Sequence, residues 1–371
     1  MPQSGPAKAK SIGRYDLGRT LTASYFGPLR EATVNTGDDA GSTVSLREVD
    51  CKALTAEERE HLAAAAKRAS ALDHDGVVPI LDVVAEDDQL ALVSAGVTGE
   101  PMRSVLRLLS VRRKVVPVPV LLRITLDLLE AVGYVHDQLG AMEGEPTLGY
   151  GGLTPDSVFV SADGTSRMVE PALGGVLRGV KKWATHPKRL GYDAPEALTQ
   201  HGIVTANGDL YSIAALAWEL LVGKRLWPGA SHSVIATKQK SGPAARADSK
   251  KRAGADPVPK GLADVLARAV ANEPADRFDS AGAMTQAIEA LDLSIATRGD
   301  VTEFVQSLAK RSGSLFPKAA KPVAPRTRGL GGRAPSQKAT EIGMARSPLY
   351  QPPIQDDPTK VMDDLDEPGG T

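Results

Sequence analysis

The chain has 371 residues, 42% of them hydrophobic and 24% charged, which is ordinary for a soluble globular protein and enough for one large domain or two smaller ones. A formal net charge of −1 and a 4% share of aromatic residues argue against a nucleic-acid-binding surface. The single cysteine, Cys51, excludes a disulfide framework and a cysteine-rich zinc site, and the lack of a signal peptide or membrane span predicts a cytoplasmic protein.

The N-terminal part predicts a small β-rich lobe. Residues 1–12, rich in proline, glycine, serine and lysine, are expected to be a flexible leader. Between residues 13 and 99, short β-prone runs alternate with turns, which predicts five strands and one helix. Thr55 can cap that helix, and Glu57 and Glu58 suit the positive end of its dipole. Cys51, directly after a strand, is interpreted as an ordinary buried residue rather than a redox sensor.

Residues 100–295 change to helical patterns. Apolar residues recur at helical spacing from Leu121 to Val135, which predicts a long helix that ends near His136. The run Leu210–Val222 is apolar nearly all round, which predicts a helix buried in the middle of the lobe. The segment Ser241–Lys260, rich in alanine, lysine, proline and glycine, is predicted to be a mobile insertion. A β-rich lobe followed by a helical lobe predicts an α+β architecture with a cleft between the two.

A loop and a strand between these helices form the stretch Tyr150–Val160. Ser161–Gly164 is predicted to be the hairpin turn into a second strand at Arg167–Val169. Loops of this kind often carry catalytic groups, but this one offers few of them.

Three short motifs follow one another in the C-terminal half: Asp193–Glu196 (DAPE), Asp209–Ser212 (DLYS) and Asn272–Phe278 (NEPADRF). With DHDGVV upstream, their order and spacing resemble the bacterial-type serine/threonine protein kinase family over about residues 12–293. The resemblance implies a bilobal kinase-like fold with a small β-rich N-lobe and a larger helical C-lobe. It also implies that Asp209 begins the buried helix and that Glu196 and Arg277 form a largely buried, structural ion pair.

The nucleotide-binding positions implied by this resemblance are altered. The glycine-rich loop corresponds to Thr22–Gly27, where only Gly27 keeps its glycine and where Tyr25 and Phe26 would crowd the phosphates. Arg47 stands at the position of the β3 lysine, for which it is a poor geometric substitute. Ala65 falls at the position of the helix glutamate, so the family's lysine–glutamate pair is expected to be absent.

The catalytic loop departs from the family as well. Four kinase positions are altered in this loop and in the Asp-Phe-Gly segment after it: Gly152 replaces the catalytic Asp, Thr154 the Lys, Ser157 the metal-binding Asn, and Glu170 the Asp of Asp-Phe-Gly. Because one such loss typically costs orders of magnitude in rate, the resemblance implies a degenerate, pseudokinase member. Glu170 together with Asp156 is left open as a metal site, against the favoured interpretation of a solvated loop carboxylate. His136 is interpreted as a core residue.

These substitutions predict a catalytically inactive signalling scaffold that acts by binding other proteins. On this hypothesis the chain is not an enzyme, holds no metal and needs no cofactor. ATP binding at the degenerate positions Arg47 and Gly27 is left as the less favoured alternative. The rival hypotheses are a nucleotide-binding sensor and a weak or unconventional serine/threonine kinase-like phosphotransferase.

Residues 296–371 form a tail that is predicted to be largely disordered, rich in proline, glycine and arginine with an acidic end. One more short helix is allowed at Val301–Leu308. Thr340 and Thr359 are candidate phosphosites that could recruit active serine/threonine kinases or phosphothreonine-reading domains, although a chance match is favoured. No specific nucleic-acid partner is expected.

Overall fold

The computed structural model describes residues 10–24, 26–52, 54–86, 88–140, 149–171, 186, 189, 191–198, 205–229, 231–252 and 255–309. Most of the predicted leader, Tyr25 and the part of the predicted tail after residue 309, with Thr340 and Thr359, lie outside the described residues. Within these ranges no helix is long and apolar enough to cross a bilayer.

Six antiparallel strands form the sheet of the N-lobe, in the order β1-β2-β3-β4-β6-β5. Their bounds are β1 Ser11–Ile12, β2 Tyr15–Ser24, β3 Gly27–Val34, β4 Thr43–Asp50, β5 Ile80–Glu86 and β6 Gln89–Ala95. Five strands were predicted, and the additional one is the two-residue β1, which pairs with the start of β2. The sheet places Arg47 in the middle of β4, between β3 and β6.

Helix α1 (Ala56–Ala69) packs on this sheet and begins where the sequence predicts. The Thr55 side chain accepts a hydrogen bond from the Glu58 amide, and the Glu58 carboxylate accepts one from the Thr55 amide. This capping box satisfies two backbone donors that the first helical turn leaves free. The face of α1 that meets the sheet is formed by small or branched apolar residues: Leu62, Ala65, Ala66 and Ala69.

Helices make up most of the C-lobe: α2 Met102–Arg112, α3 Val118–Gly140, α4 Ala206–Val222, α5 His232–Lys240, α6 Lys260–Ala269, α7 Ala281–Glu289 and α8 Arg298–Ala309. Helix α3 is the predicted long helix, extended by one turn past His136. The predicted central helix is α4, and every residue of its Leu210–Val222 part is buried except Glu219. Apolar residues on all sides are expected in a helix that neighbours surround, and here α4 packs between α3 and α6.

A small three-stranded sheet, β7-β8-β9, lies beside these helices, and the loop at residues 149–157 leads into its middle strand. Its strands are β7 Gly99–Pro101, β8 Val158–Ser161 and β9 Ser166–Met168, so the predicted hairpin is present. The Val78 amide donates to the Met168 carbonyl, and the Met168 amide donates to the Gly76 carbonyl. These two bonds fix β9 against the segment between α1 and β5.

Helix α8 packs onto the C-lobe at the position where the sequence allowed one more short helix. Val301, Val305 and Leu308 are fully buried against the lobe, and the helix contacts α2, α3 and β8. The Arg112 side chain at the end of α2 donates to the Ser307 carbonyl at 2.9 Å. The C-lobe core therefore includes α8.

The described residues of the segment predicted to be a mobile insertion, 241–252 and 255–260, are attached to the lobe by hydrogen bonds and burial. The Trp218 indole donates to the Ala245 carbonyl at 3.0 Å. Arg252 donates to the Leu221 and Val116 carbonyls at 2.9 and 2.7 Å, and Val258 is buried. Its composition suggested mobility because hydrogen bonds of this kind leave no periodic pattern in a sequence.

Candidate functional site

The loop at residues 149–157 is held in place by one buried carboxylate, that of Asp209 at the start of α4. Asp209 accepts hydrogen bonds from the amides of Tyr150 and Gly151, the latter at 2.9 Å. Its Oδ2 also lies 2.9 Å from His136 Nε2 on α3. The structure therefore gives His136 a polar partner in the core and ties the loop to two helices.

The middle of this loop carries a tight turn and little chemistry. Gly152, at the position of the catalytic aspartate, has a φ of 113°, a backbone conformation that residues with a Cβ rarely adopt. The Ser157 hydroxyl accepts from the Thr154 amide and donates to the Thr154 carbonyl, each at 2.9 Å. Both side chains are buried, so these two family positions now serve the turn itself.

Arg47 and Glu170 form an ion pair in the cleft between the lobes. Arg47 Nε donates to Glu170 Oε1 at 2.6 Å, and both side chains are almost completely shielded from solvent. The resemblance places Arg47 at the β3 lysine and Glu170 at the Asp-Phe-Gly aspartate, so the structure joins two altered positions. Glu170 is therefore a buried, paired carboxylate and not the solvated one that the sequence favoured.

The backbone around this pair is unusual at two points. Glu170 has a φ of 60°, in the left-handed region that is costly for a residue with a side chain. Gly27 has a φ of 141°, and a Cβ there would lie 2.0 Å from the Glu48 carbonyl oxygen, so only glycine fits. The Gly27 carbonyl accepts from Arg47 Nη1 at 2.8 Å. The glycine retained by the loop thus serves to hold the arginine.

Phe26 turns away from the cleft instead of crowding it. Its ring is buried in a cluster that includes Val49, Leu62 and Ala65, between the sheet and α1. Ala65 stands at the position of the family's helix glutamate, and its small side chain leaves room for this packing. Ala65 has no carboxylate to meet Arg47, and Arg47 pairs across the cleft with Glu170.

A second polar cluster, which the sequence did not predict, surrounds Asp156. Its Oδ1 accepts from the Thr22 hydroxyl at 3.1 Å, and its Oδ2 accepts from Arg103 Nε and Nη2 at 3.2 and 3.0 Å. Thr22 lies on β2, Asp156 in the loop and Arg103 on α2, so this buried cluster joins the N-lobe sheet to the C-lobe. It buries the only carboxylate of the YGGLTPDS loop sequence between the two lobes.

The donors present do not fit a metal ion held in the manner of the family. Glu170 faces the Arg47 guanidinium, Asp156 accepts from Thr22 and Arg103, and the Ser157 hydroxyl is used within the turn. Among the described residues no group of three or more histidine, cysteine, aspartate or glutamate side chains is placed to hold a metal. Glu170 and Asp156 thus each have protein partners in place of an ion.

Glu100 is a further buried carboxylate, on β7 where the chain passes between the lobes. Burial raises its pKa to about 7, while the more distant charges of Arg19 and Arg107 act in the opposite direction. The sequence did not single it out, because no motif or periodic pattern shows that a glutamate beside Pro101 is buried. Its protonation changes near neutral pH.

Replacing Glu100 by glutamine is expected to remove a pH dependence of stability. Because its pKa is raised in the folded state, the folded protein keeps a proton that the unfolded chain loses above pH 4.5, so stability falls as the pH rises towards 7. The wild type should lose up to about 3 kcal/mol between pH 5 and pH 8 at this group. Urea unfolding of Glu100→Gln at both pH values should show a correspondingly smaller loss. A matched control, Glu57→Gln on the exposed first turn of α1, should keep the wild-type loss; an equal loss in both variants would contradict the assignment.

The structure also pairs Glu196 with Arg277. Arg277 Nη1 and Nη2 donate to the two carboxylate oxygens of Glu196, each at 2.7 Å, and Arg277 is completely buried. Arg277 also donates to the carbonyls of Ala271 and Asn272 at 2.8 and 3.0 Å. This two-pronged contact joins the turn before α4 to the segment between α6 and α7.

Comparison with known families gives a match over more than half of the chain: residues 31–289 match the model described as "Protein kinase domain". The chain belongs to the protein kinase domain family. Its fold agrees, since the crystal structure of the PknI kinase domain of Mycobacterium tuberculosis superposes with a TM-score of 0.55 at 19% identity, covering 77% of this chain and 99% of that one. The predicted bilobal kinase-like fold is therefore confirmed.

This kinase-family chain is similar in sequence to curated bacterial serine/threonine kinases. The serine/threonine-protein kinase PknH of Mycobacterium tuberculosis is 28% identical over 337 residues, covering 88% of this chain and 49% of PknH. PrkC of Bacillus subtilis, also a serine/threonine-protein kinase, is 25% identical over 220 residues, covering 58% of this chain and 31% of PrkC. The chain spans about half the length of PknH. These relatives support a bacterial-type serine/threonine kinase family.

The prediction of a catalytically inactive scaffold that is not an enzyme is contradicted by these comparisons. The matched family is that of protein kinase domains, and the relatives are named serine/threonine kinases, with no positive sign of inactivity among them. They point to an enzyme of the kinase type. The positions that differ from the family suggested inactivity, because a sequence does not show which charged groups the fold brings together instead.

Pairing across the cleft is what sequence reasoning missed in this kinase-family site. A signal was present in the joint change of two positions, since the lysine became the larger Arg47 and the aspartate became the longer Glu170. A charge-conserving change at both ends suggests a direct contact. Thr22 and Arg103 offered no such signal, because neither stands at a position where the family's chemistry calls for a charge.

Proposed function

We propose that this chain is a serine/threonine kinase-type phosphotransferase that works with an altered set of catalytic groups. The observation that supports it most is the Arg47–Glu170 pair, which keeps a guanidinium in the cleft at a position where the resemblance puts the nucleotide-contacting lysine. The expectation that no nucleotide binds depended on the scaffold hypothesis. We replace it by the proposal that ATP is the phosphoryl donor.

Arg47 supplies the positive charge in this proposal. A guanidinium offers several donors in a fixed plane and suits phosphate oxygens, and it can stabilise the charge that develops during phosphoryl transfer. Arg47 Nη2 is buried and makes no hydrogen bond, so the guanidinium keeps one donor that no protein group uses.

Asp156 is the proposed general base, since Gly152 has no side chain to accept a proton. Its carboxylate is buried between the lobes and is oriented by Arg103 and Thr22. In the reaction the acceptor hydroxyl gives its proton to Asp156 while its oxygen bonds to the terminal phosphorus. The bond from that phosphorus to the bridging oxygen breaks, and ADP leaves with the electron pair.

Transfer of label from ATP tests the proposal. The full chain would be incubated with γ-labelled ATP, in Mg²⁺ and separately in EDTA, with itself and a basic protein as acceptors. Labelled serine or threonine that accumulates in proportion to the amount of chain is the expected result. No label in either condition would overturn the proposed function, as would label that persists unchanged when both Arg47→Met and Asp156→Asn are introduced, because a contaminating kinase would explain it.

A nucleotide-binding sensor is the second candidate. It is favoured by the turn in which the Ser157 hydroxyl bonds to the Thr154 backbone. Ser157 stands at the family's metal-binding position, and its oxygen is already used within the turn. A sensor would bind nucleotide and show no transfer of label. A cytoplasmic location and docking of phosphothreonine-reading domains on Thr340 and Thr359 remain proposals; those two residues lie outside the described residues.

A further inference from the structure

We infer that the Glu170 carboxylate acts as an internal ligand of Arg47, which the nucleotide phosphate displaces, and that the nucleotide binds without a divalent metal ion. This inference rests on the proposed function, because it concerns how the same cleft takes its nucleotide. The ligand class is a nucleoside di- or triphosphate as the free anion.

The contacts of Arg47 show that the Glu170 carboxylate occupies the place where a phosphate would bind. The guanidinium of Arg47 gives one donor to Glu170 Oε1 at 2.6 Å, one to the Gly27 carbonyl at 2.8 Å, and keeps Nη2 buried without a hydrogen bond. A carboxylate and a phosphate present similar pairs of anionic oxygens to a guanidinium. Glu170 therefore makes the contact that a phosphate would make, and competes for it.

The charge balance of the buried Arg47–Glu170 pair favours exchange of one anion for another. Arg47 and Glu170 together are neutral and shielded from solvent, so removing the carboxylate without replacing it would leave a buried cation. An incoming phosphate replaces the negative charge beside Arg47 as the carboxylate leaves. Exchange of the carboxylate for a phosphate is therefore more favourable than loss of the carboxylate alone.

The oxygen groups that could bind a divalent cation already have protein partners. A divalent cation at Glu170 would lie beside the Arg47 guanidinium, and two cations sharing one carboxylate in a shielded site repel each other. Asp156 is held by Thr22 and Arg103, and the Ser157 hydroxyl by Thr154. The charge that a metal would bring to the phosphates is supplied here by Arg47.

Calorimetric titration of the full wild-type chain with AMP-PNP is the first test, once in EDTA and once in excess Mg²⁺. The expected result is a Kd in EDTA that is equal to or lower than the Kd in Mg²⁺. Binding that occurs only in Mg²⁺ would overturn the inference while leaving the proposed function standing. An absence of binding in both conditions would overturn both.

Two variants of the internal ligand provide the second test. Glu170→Gln should bind AMP-PNP in EDTA at least about tenfold more tightly than the wild type, because an amide competes weakly for the guanidinium. If Glu170 held a metal, the same change would instead abolish Mg²⁺-dependent binding. Glu170→Asp keeps the charge but shortens the reach to Arg47, so it should fold and also bind more tightly in EDTA. The control Glu57→Gln should bind as the wild type does; unchanged or weaker EDTA binding by both Glu170 variants would refute the inference.

Discussion

Replacing Arg277 by methionine is expected to lower the free energy of unfolding by about 3–5 kcal/mol, because it leaves the partly buried Glu196 carboxylate without its cation. The Arg277 guanidinium is fully buried and reaches both oxygens of Glu196 at 2.7 Å. The change also frees the Ala271 and Asn272 carbonyls, which lose their donors. Methionine fills much of the arginine volume. The decrease in the free energy of unfolding would therefore come from the lost charge and hydrogen bonds rather than from a cavity.

Guanidinium-induced unfolding followed by circular dichroism measures this effect. The control is Arg246→Met, which removes an arginine that bridges Asp248 and Asp264 at the exposed surface. Surface pairs in water contribute little, so this variant should unfold near the wild-type midpoint. Equal midpoints for the two variants would show that the buried pair is no more important to stability than the surface one.

Replacing Asp156 by asparagine is expected to lower the rate of phosphoryl transfer by about 10²–10⁴-fold, the usual contribution of a general base. Asparagine keeps an oxygen to accept from Arg103 and a group of the same size beside Thr22, so the fold should be retained. The rate of label incorporation at saturating ATP, measured together with the Kd for AMP-PNP, separates a loss of chemistry from a loss of binding.

Asp163→Asn is the matched control for this experiment. Asp163 lies in the turn between β8 and β9, where it pairs with Arg167 at the surface. The control should transfer phosphate at the wild-type rate. If Asp156→Asn also transfers at that rate, the base is another group and the proposed role of Asp156 is refuted.

Elements with long periodic patterns were predictable from the sequence. Helices α3 and α4 have apolar residues at helical spacing over several turns, and Thr55 with Glu58 marks the start of α1. The kinase-like fold followed from three motifs in order, none of which depends on the altered catalytic positions. The two-residue β1 was missed because so short a strand has no period.

The site was less predictable because it depends on contacts between distant residues. Arg47 and Glu170 are 123 positions apart, and Thr22 and Asp156 are 134 apart. Sequence reasoning compared each position with the family one at a time, so it recorded losses and could not see new pairings. The direction of the Phe26 side chain is set by the room that Ala65 leaves on α1, which again needs the packed structure.

Helix α8 has a consequence for how the protein folds as it is synthesised. The chain leaves the ribosome from its N-terminus, so α2 and α3 emerge well before α8. Until residues 298–309 arrive, the apolar surface that later covers Val301, Val305 and Leu308 faces water. The region that matches the family ends at residue 289, ahead of this helix. Completion of the C-lobe on the ribosome therefore waits for a segment outside the family region, and the nascent lobe is open to chaperones until then.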